Sequence, residues 1–91
     1  MYDFNEIQHL FEIREGVLVK YWGYDEVVII PAEFGELIIG SYAFIDLKYV
    51  KSIICLDNIK QIERSAFVRC ENLERFYITN KDIDTLKFQV Q

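Results

Sequence analysis

Reactive side chains are few in this 91-residue chain: one histidine (His9), three serines and two cysteines, Cys55 and Cys70. A histidine moves protons near neutral pH and a thiolate attacks carbon or binds metal, but each needs a partner at a defined spacing. No partner is set by spacing for His9, which falls on the polar side of a short N-terminal segment, where a solvated surface histidine is expected. Cys55 and Cys70 stand fifteen positions apart with His9 as the only nitrogen donor, too few ligands for a tetrahedral zinc site, so buried free thiols are expected. Asp25-Glu26, Glu33 with Glu36, and Asp82 with Asp84 offer oxygen ligands for calcium. No Asp-x-Asp-x-Asp-Gly loop surrounds them, and solvated turns are the reading. Without a Gly-rich phosphate loop, Cys-x-x-Cys or His-Glu-x-x-His, the inventory points away from an enzyme and calls for no cofactor or metal.

The elements that carry these residues are set by a repeat. Ile39-Gly-Ser-Tyr-Ala-Phe returns as Ile62-Glu-Arg-Ser-Ala-Phe, 23 residues later. Phe44, Leu47, Val50, Ile53 and Cys55 are answered at the same offset by Phe67, Cys70, Leu73, Phe76 and Ile78. A unit this short cannot close a core by itself, so each coil must bury its apolar face on the next. Pro31 to Phe44 spans 13 positions where Leu56 to Phe67 spans 11, which places a two-residue insertion near Phe34 to Leu37.

Ahead of the repeats, Asp3 and Glu6 have the spacing of a helix capping box, and Phe4, Ile7, Leu10 and Phe11 share one helical face, predicting a helix over about 4–10. Alternation through Phe11, Ile13, Val17, Val19 and Tyr21, broken at Glu15-Gly16 and Gly23, predicts strand, turn, strand, turn, and then a strand from Val27 to Ile30. Residues 1–26 form the cap, 27–78 the repeats and 79–91 a closing strand through Leu86, Phe88 and Val90.

Composition narrows the class. With 52% apolar residues and 15% aromatic, the chain is globular and has more adherent side chains than a small monomer readily hides, so some are expected to meet a partner. The start, Met-Tyr-Asp-Phe-Asn-Glu, carries acid where a signal peptide carries base. No apolar run approaches the roughly 20 residues of a spanning helix, so a cytoplasmic protein away from membranes is expected. Net charge is -5, and residues 1–45 hold eight acids against two bases. Lys48, Lys51, Lys60, Arg64, Arg69 and Arg75 place bases in the second half, but overall acidity opposes direct nucleic-acid binding.

One further pattern is more specific. Phe67-Val-Arg-Cys-Glu-Asn-Leu-Glu-Arg-Phe-Tyr-Ile, with Ile30-Pro31 and Ala before Phe in each unit, resembles the BspA-like class of leucine-rich repeats. Phe11-Glu-Ile-Arg-Glu-Gly-Val-Leu with Tyr21-Trp-Gly resembles the hairpin that often precedes them. Leu47 stands where that pattern has Cys, and Leu56 where it has Pro. The resemblance implies a β-rich α+β fold, a short right-handed leucine-rich-repeat solenoid of about two and a half 23-residue repeats, with protein recognition and no catalytic residues.

Strand alternation then gives a surface. With Ile53, Cys55, Phe76 and Ile78 inward, Ser52, Ile54, Arg75 and Tyr77 point outward, joined by Val27 and Ile29 of the earlier strand. Ile29, Ile54 and Tyr77 make an apolar column flanked by Val27, Ser52 and Arg75, the expected protein-binding site, unless the N-terminal helix covers it. Tyr21, Trp22 and Tyr24 crowd one turn and either grip a ligand or pack over the cap. Three functions follow: a non-catalytic interaction module; an acidic inhibitor occluding a nucleic-acid-handling protein through Glu12, Glu15, Asp25, Glu26, Glu33 and Glu36; or a subunit that pairs with its own copy, a two-fold homodimer being the safer form.

Overall fold

The computed structural model describes residues 2–83, so the strand expected through Leu86, Phe88 and Val90 lies outside the described residues. A short helix α1 (Phe4–Ile7) passes into a 3-10 turn (Gln8–Leu10), covering the helix expected over 4–10. Asp3 caps α1 by accepting the Asn5 backbone N–H at 3.0 Å, one position earlier than a capping box with Glu6 would have it. Strands follow as β1 (Phe11–Arg14), β2 (Val17–Tyr21), β3 (Val27–Ile30), β4 (Leu37–Ile39), β5 (Ser52–Cys55), β6 (Ile59–Ile62) and β7 (Arg75–Ile78). Among the described residues no helix is long and apolar enough to cross a membrane.

These strands form two sheets. The first has the order β1-β2-β4-β6 and the second β3-β5-β7. Every pairing except the β1–β2 hairpin is parallel, as it must be when successive coils of one chain run in the same sense. The hairpin turns at Glu15 and Gly16, both with positive φ (50° and 78°), the two-residue geometry whose twist matches paired strands. β2 then lies parallel against β4, so the cap adds strands to the first sheet.

The inserted residues are resolved by register. Ile30 pairs with Cys55 and Leu37 with Ile59, so the first coil takes three more residues over this stretch, held in a 3-10 turn (Ala32–Phe34) closed by Gly35. Between Leu37 and Ile38 the register shifts by one in favour of the second coil, leaving a net excess of two. Asn58 spans the longer turn: its Nδ2 donates to the carbonyls of Pro31 and Gly35 at 3.1 and 2.9 Å.

The core runs through both sheets as one cluster, in which Leu18, Ile30, Ile39, Phe44, Val50, Ile53, Cys55, Ile59 and Phe67 are fully buried. At its centre, ring stacks link Tyr21 to Phe44 (centroids 5.5 Å) and Phe44 to Phe67 (5.3 Å), and Phe11 and Phe76 extend the column at either end. The same register appears in the backbone, where the Tyr21 N–H donates to Ala43 and the Phe44 N–H to Ala66, both at 2.9 Å. Tyr21 is therefore core and not a ligand-gripping side chain at a turn, because its position 23 residues before Phe44 sets it on the ring column. Its hydroxyl donates to Asp25 at 2.9 Å, and a Cβ on Gly23 would stand 2.2 Å from that oxygen, so only glycine fits beside it.

Both cysteines are free and buried, as expected. Burial pushes the Cys55 thiol up to about 12, and burial also raises Cys70 and Tyr21, whose bond to Asp25 adds to the effect. Raised acids keep their protons in the folded chain while the unfolded chain releases them, so stability is lost as pH rises.

Two outcomes follow. Phe44→Ala removes the middle ring of the column and lowers unfolding free energy by about 3–5 kcal/mol, out of roughly 5–14 for a domain of this size; a loss under about 1 kcal/mol in urea melts would contradict the packing. From neutral pH to about 8.5 stability is flat, and it declines between about 9 and 12 as the unfolded thiols ionise. Cys55→Val makes that decline shallower, and an unchanged pH profile in the variant would show that the Cys55 proton plays no part.

Candidate binding face

The outer face of the second sheet is built by a strict register. Val27 pairs with Ser52 and Ser52 with Arg75, while Ile29 pairs with Ile54 and Ile54 with Tyr77. Side chains alternate along each strand, so these six share one face and Val28, Ile30, Ile53 and Cys55 share the other. Burial follows that division: the second four are 0–2% exposed, whereas Val27 and Tyr77 are 53% and 49% exposed. Ile29, Ser52 and Ile54 are half-buried, Arg75 is exposed, and Phe76 and Ile78 pack against the core from the last described strand. The structure thus brings all six expected residues together.

Their cover is partial at most among the described residues. The N-terminal segment lies at the end of the stack, with Phe4 against Phe34 (5.1 Å) and Phe34 against Phe11 (5.4 Å). Ile7 and Leu10 pack on the core from there. The segment is also anchored by Tyr2, whose hydroxyl donates to Glu33 at 2.6 Å and accepts the Ala32 N–H at 3.3 Å.

Two further exposed aromatics lie in the segments that lead into this sheet. Tyr24 and Tyr49, 79% and 62% exposed, meet edge to face with centroids 5.8 Å apart just before β3 and β5. They are separated by 25 residues, the same offset as Val27 and Ser52, so applying the insertion-corrected period to the aromatics would have found them. Trp22, the third aromatic of that turn, is occupied otherwise: its Nε1 donates to Glu12 at 3.1 Å and Lys20 sits 4.9 Å over its ring.

Charge is distributed in local pairs. Of the six acids considered as an anionic face, Glu12 meets Arg14 at 2.8 Å, Glu26 meets Lys51 at 3.7 Å and Glu36 meets Lys60 at 3.9 Å. Among the bases, Arg69 forks onto Asp46 through Nε and a terminal nitrogen, the latter at 2.9 Å. Asp46 and Arg69 are one period apart and both have positive φ, so each closes its turn and the two side chains join adjacent coils. That guanidinium holds the Asp46 carboxyl below its ordinary value. His9 is exposed, and among the described residues no group of three or more His, Cys, Asp or Glu is placed to hold a metal ion.

The arrangement can bind: it presents apolar and aromatic surface with polar groups beside it, on strands fixed by ladder bonds from both sides at β5. No curated protein and no solved structure matches this chain. Residues 26–90 match the family model described as a BspA type leucine-rich repeat region (6 copies), and by that match the chain belongs to the BspA type leucine-rich repeat family.

Proposed function

We propose that this protein is a non-catalytic module, working in the cytoplasm, that binds another protein through the outer face of its β3-β5-β7 sheet. One observation carries the reading. Parallel sheets are ordinarily covered on both faces, yet here Val27 and Tyr77 stand about half exposed on the outer one, with Ile29 and Ile54 between them. Membership of a repeat family whose units generally bind proteins supports it. So does the location of Tyr24 and Tyr49, since exposed tyrosines supply large contact area at low cost in side-chain entropy.

Tyr77 is the expected anchor and Arg75 part of the polar rim. A photo-cross-linking phenylalanine analogue introduced at Tyr77 captures a discrete partner in cells, and the same analogue at Lys60, on the first sheet, does not. Tyr77→Ala then weakens binding to the captured protein at least about 30-fold, the scale of a hot spot of about 2 kcal/mol. Equal capture at both positions, or unchanged affinity in Tyr77→Ala, would reject the face.

A further inference from the structure

The cap treats the two sheets unequally. It adds β1 and β2 to the first sheet and adds no strand to the second, whose first strand is β3. The orientation of β3's backbone follows from one pair of bonds: the Glu26 carbonyl accepts from the N–H groups of Lys51 and Ser52 at 2.7 and 3.0 Å. Backbone groups in a strand point alternately to either side, so Val28 and Ile30 face β5 with Glu26, and Val27 and Ile29 turn their N–H and C=O groups away from it. Among the described residues, no hydrogen bond from the N-terminal segment or the hairpin reaches those groups. Where a capping strand would lie there is a cleft of about 210 Å³, lined by Ile7 and Leu10 on one side, Val27, Val28 and Ile29 on the other, and Asp25. That volume is below the ~300 Å³ at which small-molecule sites begin, and it suits a side chain.

We propose that the open edge of β3 accepts an extended, basic segment of another protein as an added strand, which pairs with Val27 and Ile29 and places one apolar side chain in the cleft. Strand addition of this kind draws affinity from backbone bonds and specificity from alternate side chains. The basic character follows from the surrounding charge. Asp25 lines the cleft, Glu26 precedes the edge with its lysine no nearer than 3.7 Å, and Glu33 stands beyond it on the Tyr2 hydroxyl. A second copy of this chain pairing edge to edge would bring the same acids against each other, so the occupant is a segment of opposite charge. The inference rests on the protein-binding reading and adds an edge to its face.

The test uses the full chain and a capped seven-residue peptide of alternating lysine and valine, followed by amide hydrogen exchange in nuclear magnetic resonance. The Val27 and Ile29 amides exchange at least about tenfold slower with peptide present. A peptide N-methylated at alternate residues, unable to complete the ladder, gives no protection, and neither does one with glutamate in place of lysine. Val27→Pro deletes an N–H that faces away from β5, a change an edge strand tolerates, and abolishes the protection; Tyr77→Asp retains it. Absence of binding at millimolar peptide, protection confined to other amides, or equal binding of the N-methylated peptide overturns the proposal, whether or not Val27→Pro folds. Loss of peptide binding in Tyr77→Asp would also overturn the edge while leaving the face standing. A dimer joined through β3 in light scattering would overturn the basic partner in favour of a second copy.

Discussion

Everything in this fold depends on burial between coils. Twenty-three residues enclose too little volume to hide a phenylalanine from water, so the Phe44 ring is buried only because Tyr21 lies on one side of it and Phe67 on the other. The small residue before each ring is part of the same constraint. Ala43 and Ala66 are 1% and 0% exposed and supply the carbonyls that bond the preceding coil's N–H groups, where a larger side chain would hold the coils apart. Because Tyr21 is 23 residues before Phe44, the hairpin cap is in effect a degenerate first coil, bonded and stacked in the repeat's own register. Polar groups support the stack at its corners: Asn72 donates to Lys48 O at 2.7 Å and Asn80 to Ile59 O at 2.9 Å, each bridging to the preceding coil.

The same constraint separates two kinds of apolar residue. Those on the inner face are required, since every coil needs its neighbour. Those on the outer face of β3-β5-β7 are not required by the stack, which is why exposed Val27 and Tyr77 bear on function rather than on folding. An edge is a separate consequence: a stack has two ends, and a cap that completes only one of two sheets leaves backbone groups turned outward at the other.

Much of this was legible in the sequence, for physical reasons that can be named. A period of 23 with alternating apolar residues determines which side chains of β5 and β7 face inward, because a one-residue slip would reverse every one of them. Of the first sheet, only the β1–β2 hairpin was legible. β4 has only three residues and β6 reads Ile-Lys-Gln-Ile, with buried ends and exposed middle, so neither shows strict alternation. Tyr21 was read among its neighbours Trp22 and Tyr24 rather than at its distance from Phe44, and the two-residue insertion hid Tyr49, whose partner lies at 25 and not 23. The open edge of β3 has no signal in sequence at all, since it depends on which sheet the cap joins.

The central claim is that adjacent residues of one strand have opposite roles, one holding the stack and the next facing solvent or a partner. Ile53 and Ile54 test it most directly, through urea denaturation of Ile53→Asp and Ile54→Asp measured side by side. At Ile53, which is fully buried, a carboxylate leaves an unpaired charge in the core and the chain fails to fold or loses several kcal/mol. At Ile54 the same change lowers stability by no more than about 1 kcal/mol. Equal losses at the two positions, or the larger loss at Ile54, would contradict the register and with it the binding face.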